Sequence, residues 1–127
     1  MRPNRDRCHW YGILLLILYF SSCNWLSKPG VILVSPLDGS RINLAVKFSW
    51  YVENISGRSY RVQIYLDKGR GPFDGWCEQV IDAGMNATEL DFQLNPDVYS
   101  GAAVEWGVRV IIDDRRYESP VRRFRVE

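Results

Sequence analysis

Six arginines, Arg109, Arg115, Arg116, Arg122, Arg123 and Arg125, crowd the last stretch of the chain. Guanidinium groups spaced by two along a strand stand on one face, where they can bind carboxylate or phosphate with paired N–H donors. If the segments around them are strands, Arg109, Arg123 and Arg125 share such a face with Arg61, Gln63, Tyr65 and Glu105. Gly107 would leave a gap among them. Two uses stay open. The face is either a solvated surface whose arginines pair with Glu105, Asp113, Asp114 and Glu118, or an anion-accepting patch for a protein partner, lipid head groups or a glycan.

Other chemistry is scarce. His9 is the only histidine, and it lies in the N-terminal segment. If that segment is removed, Ser-His-Asp and Cys-His catalysis and the usual zinc sites lose their imidazole. No Gly-rich phosphate loop of known spacing occurs. Asp67 and Asp74 in "DKGRGPFDG" lack the alternating carboxylates and closing Glu of an EF-hand loop, so a surface turn is expected. Asp113 with Glu118 reads as hairpin charges. No catalytic residue, metal or cofactor is expected, and the chain is not expected to be an enzyme. The formal net charge of +1 argues against nucleic acid as a partner.

The N-terminus carries the address. "MRPNRDR" is net positive, "GILLLILYF" is an unbroken apolar run, and "SSC" brings small residues up to Cys23. That order is the layout of an export signal. Its end, Phe20-Ser21-Ser22-Cys23, resembles the bacterial lipoprotein signal, in which the cysteine receives diacylglycerol and becomes the new N-terminus. The resemblance implies a signal peptide over 1–22, lipidation of Cys23 and a membrane-anchored protein. The rival is an uncleaved transmembrane helix. No formal charge falls from Cys8 to Ser27, a length that at ~1.5 Å per residue could span roughly 30 Å. Trp10, Tyr11 and Trp25 sit near its ends. Plain secretion and a buried strand also remain. Both leading readings place the rest of the chain outside the cytoplasm. Cys77 is expected as a buried residue beside Trp76, with a Cys23–Cys77 bridge open if Cys23 stays free.

The elements that position the arginines come next. Residues 23–30 read as a tether. Segments 31–35, 44–50, 60–66, 75–81, 88–94, 104–112 and 121–127 read as strands, most with period-two alternation and turn residues between them. Leu44, Val46, Phe48 and Trp50 face inward, as do Tyr60, Val62, Ile64 and Leu66. So do Leu90, Phe92 and Leu94, then Val104, Trp106, Val108 and Val110, and finally Phe124 and Val126. Trp50 and Trp106 are expected to meet across two sheets. The spacing of Val121 and Phe124 predicts a bulge near Arg122. No stretch after residue 27 has a helical period. The expected fold is all-β, an antiparallel two-sheet sandwich of about seven strands.

"SPLDGSRI", "VKFSW", "SYRVQIYLD", "VEWGVRVI" and "SPVRRFRV", in that order, resemble the bacterial fibronectin type III-like module, an immunoglobulin-like sandwich. The likeness covers 31–127. That family often has Tyr where Val104 stands, so the match does not imply a tyrosine-corner hydrogen bond there; Tyr99 lies upstream, and whether it compensates stays open. Together the two resemblances imply a non-catalytic lipoprotein of the bacterial cell envelope, at the outer membrane or in the periplasm if the cell has two membranes. It would be a binding or scaffold module in contact with a protein partner. The alternatives are a carbohydrate- or cell-wall-binding module using Tyr65, Phe73 and Tyr117, or the same domain on an uncleaved helix.

Overall fold

The computed structural model describes residues 28–69, 71–73 and 77–127. The expected signal peptide, the lipidation site Cys23, most of the tether, the alternative transmembrane segment, Asp74 and Trp76 lie outside the described residues. Nine strands and one short helix follow in order: β1 Gly30–Ser35, β2 Ser40–Ile42, β3 Ala45–Glu53, β4 Arg61–Asp67, β5 Gln79–Met85, β6 Glu89–Gln93, α1 Pro96–Tyr99, β7 Ala103–Ile112, β8 Arg115–Glu118 and β9 Arg122–Val126.

One sheet has the order β1-β3-β6, and the other β2-β9-β7-β4-β5, with β8 also pairing β7. Every pairing is antiparallel except β2 with β9. The alternation in the sequence explains the stacking. On β3, Val46, Phe48, Trp50 and Val52 are buried, and on β7 Val104, Trp106, Val108 and Val110 are fully buried. An antiparallel pair of sheets with one apolar face each has to close those faces on each other. The ring that meets Trp106 is Phe48, at 5.0 Å between centroids, and Phe48 also meets Phe124 at 6.2 Å. Trp50 is buried two residues further along β3, and its indole N–H donates to the Ala87 carbonyl at 2.9 Å.

The strand count exceeds the expected seven for a local reason. The segment read as a turn at "PLDGS" continues into β2, three residues that pair in parallel with β9. The last hairpin supplies β8. Its two-residue turn, Asp113-Asp114, has both φ values positive, +51° and +66°. That is the type I′ geometry whose twist matches the flanking strands. β5 starts at Gln79, not residue 75, and its burial pattern is irregular because it is an edge strand. Between Arg109↔Glu118 and Trp106↔Arg122, β7 advances three residues and its partner four. The extra residue therefore lies within Ser119–Val121, before Arg122. Val121 itself is exposed.

The helix α1 forms because Asn95 caps it, its side chain accepting from the Asp97 N–H at 2.9 Å, and because Pro96 is pre-set for a first turn. It delivers Tyr99 into the core. The Tyr99 hydroxyl donates to Gln79 Oε1 on β5 at 2.9 Å. Burial, then the nearby Glu78, Cys77 and Asp67, push its pKa up to about 12.

Candidate functional site

The eight residues expected on one sheet face do fall on three adjacent strands. Gln63 lies opposite Arg109, Tyr65 opposite Gly107, and Arg61 opposite Ile111 on β4 and β7. Glu105 lies opposite Arg123 and Ala103 opposite Arg125 on β7 and β9. All stand on the side of the larger sheet that faces away from the smaller one.

Their charges are largely matched by one another. Arg109 donates from Nε to Glu118 Oε2 at 2.9 Å and from Nη1 to the Tyr65 hydroxyl at 2.6 Å. The Tyr65 hydroxyl passes a hydrogen bond to Gln63 Oε1 at 3.1 Å. Glu105 accepts from Arg123 Nη2 at 2.6 Å and from the Gly71 N–H at 3.0 Å. Arg61 pairs with Asp82 of β5 at 2.6 Å. This hydrogen bond, then the Gly84 N–H, lowers the Asp82 carboxyl's pKa, and the same bond raises that of Arg61. The bond to Glu105, then its charge, raises Arg123. Arg125 donates to the Gly101 carbonyl at 3.3 Å. Asp113 and Glu118 are drawn to different cations, Arg58 and Arg109. Among the described residues Arg41, Arg115, Arg116, Arg122 and Arg125 form no ion pair.

The gap expected at Gly107 is filled. Phe73, from the loop between β4 and β5, lies over it: a Cβ added at Gly107 would stand 2.6 Å from Phe73 Cζ. The Phe73 ring meets Tyr65 at 5.2 Å between centroids. The Arg109 guanidinium lies 4.5 Å from the Tyr65 centroid and 5.6 Å from that of Phe73. The "DKGRGPFDG" segment is thus more than a surface turn. Its backbone holds Glu105 through Gly71, and its aromatic ring covers the sheet where glycine leaves room.

A topology of β1-β3-β6 facing a sheet built on β5-β4-β7-β9 narrows the fold. It is an all-β sandwich of two sheets. No family model matches the chain, and no curated protein matches it. The chain is similar in structure to an endo-beta-1,4-mannanase from Thermotoga petrophila, with TM-score 0.59 and 12% identity, over 85% of this chain and 22% of the enzyme. It is also similar to the fibronectin(III)-like modules of Clostridium thermocellum CbhA, with TM-score 0.44 and 20% identity, over 78% of this chain and 45% of that one. It spans about a fifth of the mannanase and less than half of the CbhA chain, and at 12% identity the likeness to the mannanase concerns the fold alone.

Two surfaces remain. Cys77 is half-buried, less than its expected core position, and Tyr117 is half-buried on β8. On the smaller sheet an apolar strip is open to solvent. Ile32 is 46% exposed, Val34 48% and Tyr51 58%, and Leu37 in the turn after β1 is 65% exposed. Ile32 and Tyr51 are cross-strand partners. Residue-type clustering misses this strip, because it carries no charge and "VILVS" reads as an ordinary strand. Alternation was the available signal: with Val31 and Leu33 inward, Ile32 and Val34 must point out. Among the described residues no group of three His, Cys, Asp or Glu could hold a metal ion, and no helix is long and apolar enough to cross a membrane.

Proposed function

We propose that the chain is a non-catalytic contact module of a bacterial cell envelope, tethered to a membrane through Cys23. The observation that carries the contact role is the exposed apolar strip on a rigid sandwich, since a soluble domain gains nothing from such a strip unless something covers it. Against catalysis stands the way Arg109, Glu118, Glu105 and Arg123 neutralise one another, with the Tyr65 and Phe73 rings tilted against each other under the Arg109 guanidinium. The same packing weakens the glycan-binding alternative, because those two rings are engaged with each other instead of presenting a stacking platform.

The tether reading rests on the N-terminal sequence pattern, and β1 beginning at Gly30 is compatible with it. Intact mass of the membrane-extracted chain tests it. The expected species begins at Cys23 and carries added acyl mass, and Cys23→Ser should release the domain from washed membranes. A species that retains Met1 with no acyl mass contradicts lipidation and favours the uncleaved helix.

A further inference from the structure

The outward arginines of the larger sheet are not all alike. Arg61, Arg109 and Arg123 each hold a carboxylate: Asp82, Glu118 and Glu105. Arg41 and Arg125 hold none among the described residues, and the register sets them side by side, as direct partners in the parallel pairing of β2 with β9. Partners across a pair point to the same side, and with Phe124 and Val126 buried that side is the outer one. Both arginines are exposed. Arg41 makes no side-chain hydrogen bond among the described residues, and Arg125 makes one, at 3.3 Å, to the Gly101 carbonyl. Like charges placed opposite each other on a sheet destabilise it when nothing lies between them. On its other side Arg125 has Ala103, too short to cover it. Glu127, two residues on from Arg125, is in no ion pair with either.

We infer that Arg41 and Arg125 together bind one tetrahedral oxyanion, a phosphate or sulfate group, on a molecule that approaches the end of the sandwich remote from Gly30. Neighbouring strands lie ~4.8 Å apart, so two guanidinium forks rooted on them can converge on one group with three or four oxygens. A carboxylate offers only two oxygens and serves a single fork, as Glu118 serves Arg109. The position along the sandwich follows from β3. Glu53, at one end of β3, lies opposite Gly30, while Ile42 of β2 leads over two residues into Ala45 at the other end. Backbone bonds fix that second end: the Glu127 N–H donates to the Ile42 carbonyl at 2.9 Å, and the Leu94 N–H to the Leu44 carbonyl at 2.8 Å. The arginine pair therefore stands far from the strand that leads back to Cys23. A membrane holding Cys23 lies on the Gly30 side, so the oxyanion belongs to a soluble or polymeric molecule and not to a head group of that membrane. The two-arginine site stands without the tether reading; only the side of approach rests on it.

The test uses the full chain in phosphatidylcholine nanodiscs, titrated with sodium phosphate at constant ionic strength and followed by amide NMR. Saturable shifts at Arg41, Ala103, Arg125 and their neighbours are expected at millimolar phosphate, and sodium chloride alone should give none. Arg41→Gln and Arg125→Gln should each weaken binding by about tenfold. Arg41→Lys should weaken it as well, because an ammonium keeps the charge without the fork. Arg116→Gln removes the same charge from an unpaired arginine whose cross-strand partner is Ile111, and should leave binding unchanged. Unmoved resonances in the rest of the sandwich confirm that each variant is folded. Soluble polyphosphate should compete with the inorganic ion. Shifts that never saturate, or binding that falls equally with Arg116→Gln, mean an adventitious ion only and overturn the site. So does binding that survives both Arg41→Gln and Arg125→Gln. Nanodiscs containing phosphatidic acid should leave Arg41 and Arg125 unshifted in phosphate-free buffer. Shifts there from the lipid alone overturn the approach from the remote end.

Discussion

The two outward faces of the sandwich solve opposite problems. The larger sheet displays most of the arginines: Arg109 and Arg123 pair with Glu118 and Glu105 where the Phe73 loop lies across the middle, while Arg41, Arg115, Arg116, Arg122 and Arg125 form no ion pair among the described residues. The smaller sheet exposes Lys47, Glu89 and Asp91 toward β6 and leaves Ile32, Val34 and Tyr51 in water toward β1. Paired charges on the first face hold a loop in place, so they belong to the structure. Exposed apolar groups on the second contribute little to folding, and the proposed contact role rests on them.

Four measurements bear on that contrast. The largest effect concerns the core both faces share. Trp106→Ala should lower stability by ~3–5 kcal/mol in a single denaturation transition, since it removes the ring that bridges to Phe48. A loss under ~1 kcal/mol would contradict its central place, and two separate transitions would mean that the sheets are not one unit. Next is Arg109→Ala. Its side chain is only 13% exposed and donates to both Glu118 and Tyr65, so a loss of about 2 kcal/mol is expected, with faster chymotryptic cleavage at Phe73. An unchanged cleavage rate would show that the loop is held by something else.

Third, Tyr99→Phe should cost about 1 kcal/mol through the lost bond to Gln79. The same variant has a pH signature. The folded-state pKa of Tyr99 is raised from 10.0 to about 12, so its stabilising effect is complete below pH 10 and is lost as pH rises through 12. Burial raises Tyr60 in the same direction. Wild type should therefore weaken steeply over that window, and Tyr99→Phe less steeply. Equal slopes would mean that Tyr99 ionises as freely as in the unfolded chain. The smallest effect is at the strip: Ile32→Ser should change stability by no more than ~0.5 kcal/mol. A larger loss would make Ile32 part of the fold and remove the contrast between the faces.

Much of the sandwich was legible because burial on one face forces alternation. β3, β4, β7 and β9 each bury the residues that alternation points inward. What the sequence concealed follows from weak local signals. β2 is three residues long, β5 is an edge with no clean inner face, and α1 is a single capped turn too short for a period. The common face of Arg61, Gln63, Tyr65, Glu105, Gly107, Arg109, Arg123 and Arg125 could be read from parity. Its closure could not, because Phe73 is far from Gly107 along the chain, and nothing in either neighbourhood predicts that one covers the other. The apolar strip carries no such mark: Ile32 and Val34 have the residue types of any strand, and only parity with the inward Val31 and Leu33 sets them apart.

The claim that the paired-charge face is structural while the apolar strip makes contact is tested most directly by crosslinking in intact envelopes, comparing wild type with Ile32→Asp and with Arg123→Glu. The account predicts that Ile32→Asp abolishes the crosslinked species and that Arg123→Glu leaves it at wild-type yield. Loss with Arg123→Glu and retention with Ile32→Asp would contradict it and return the contact role to the arginine face.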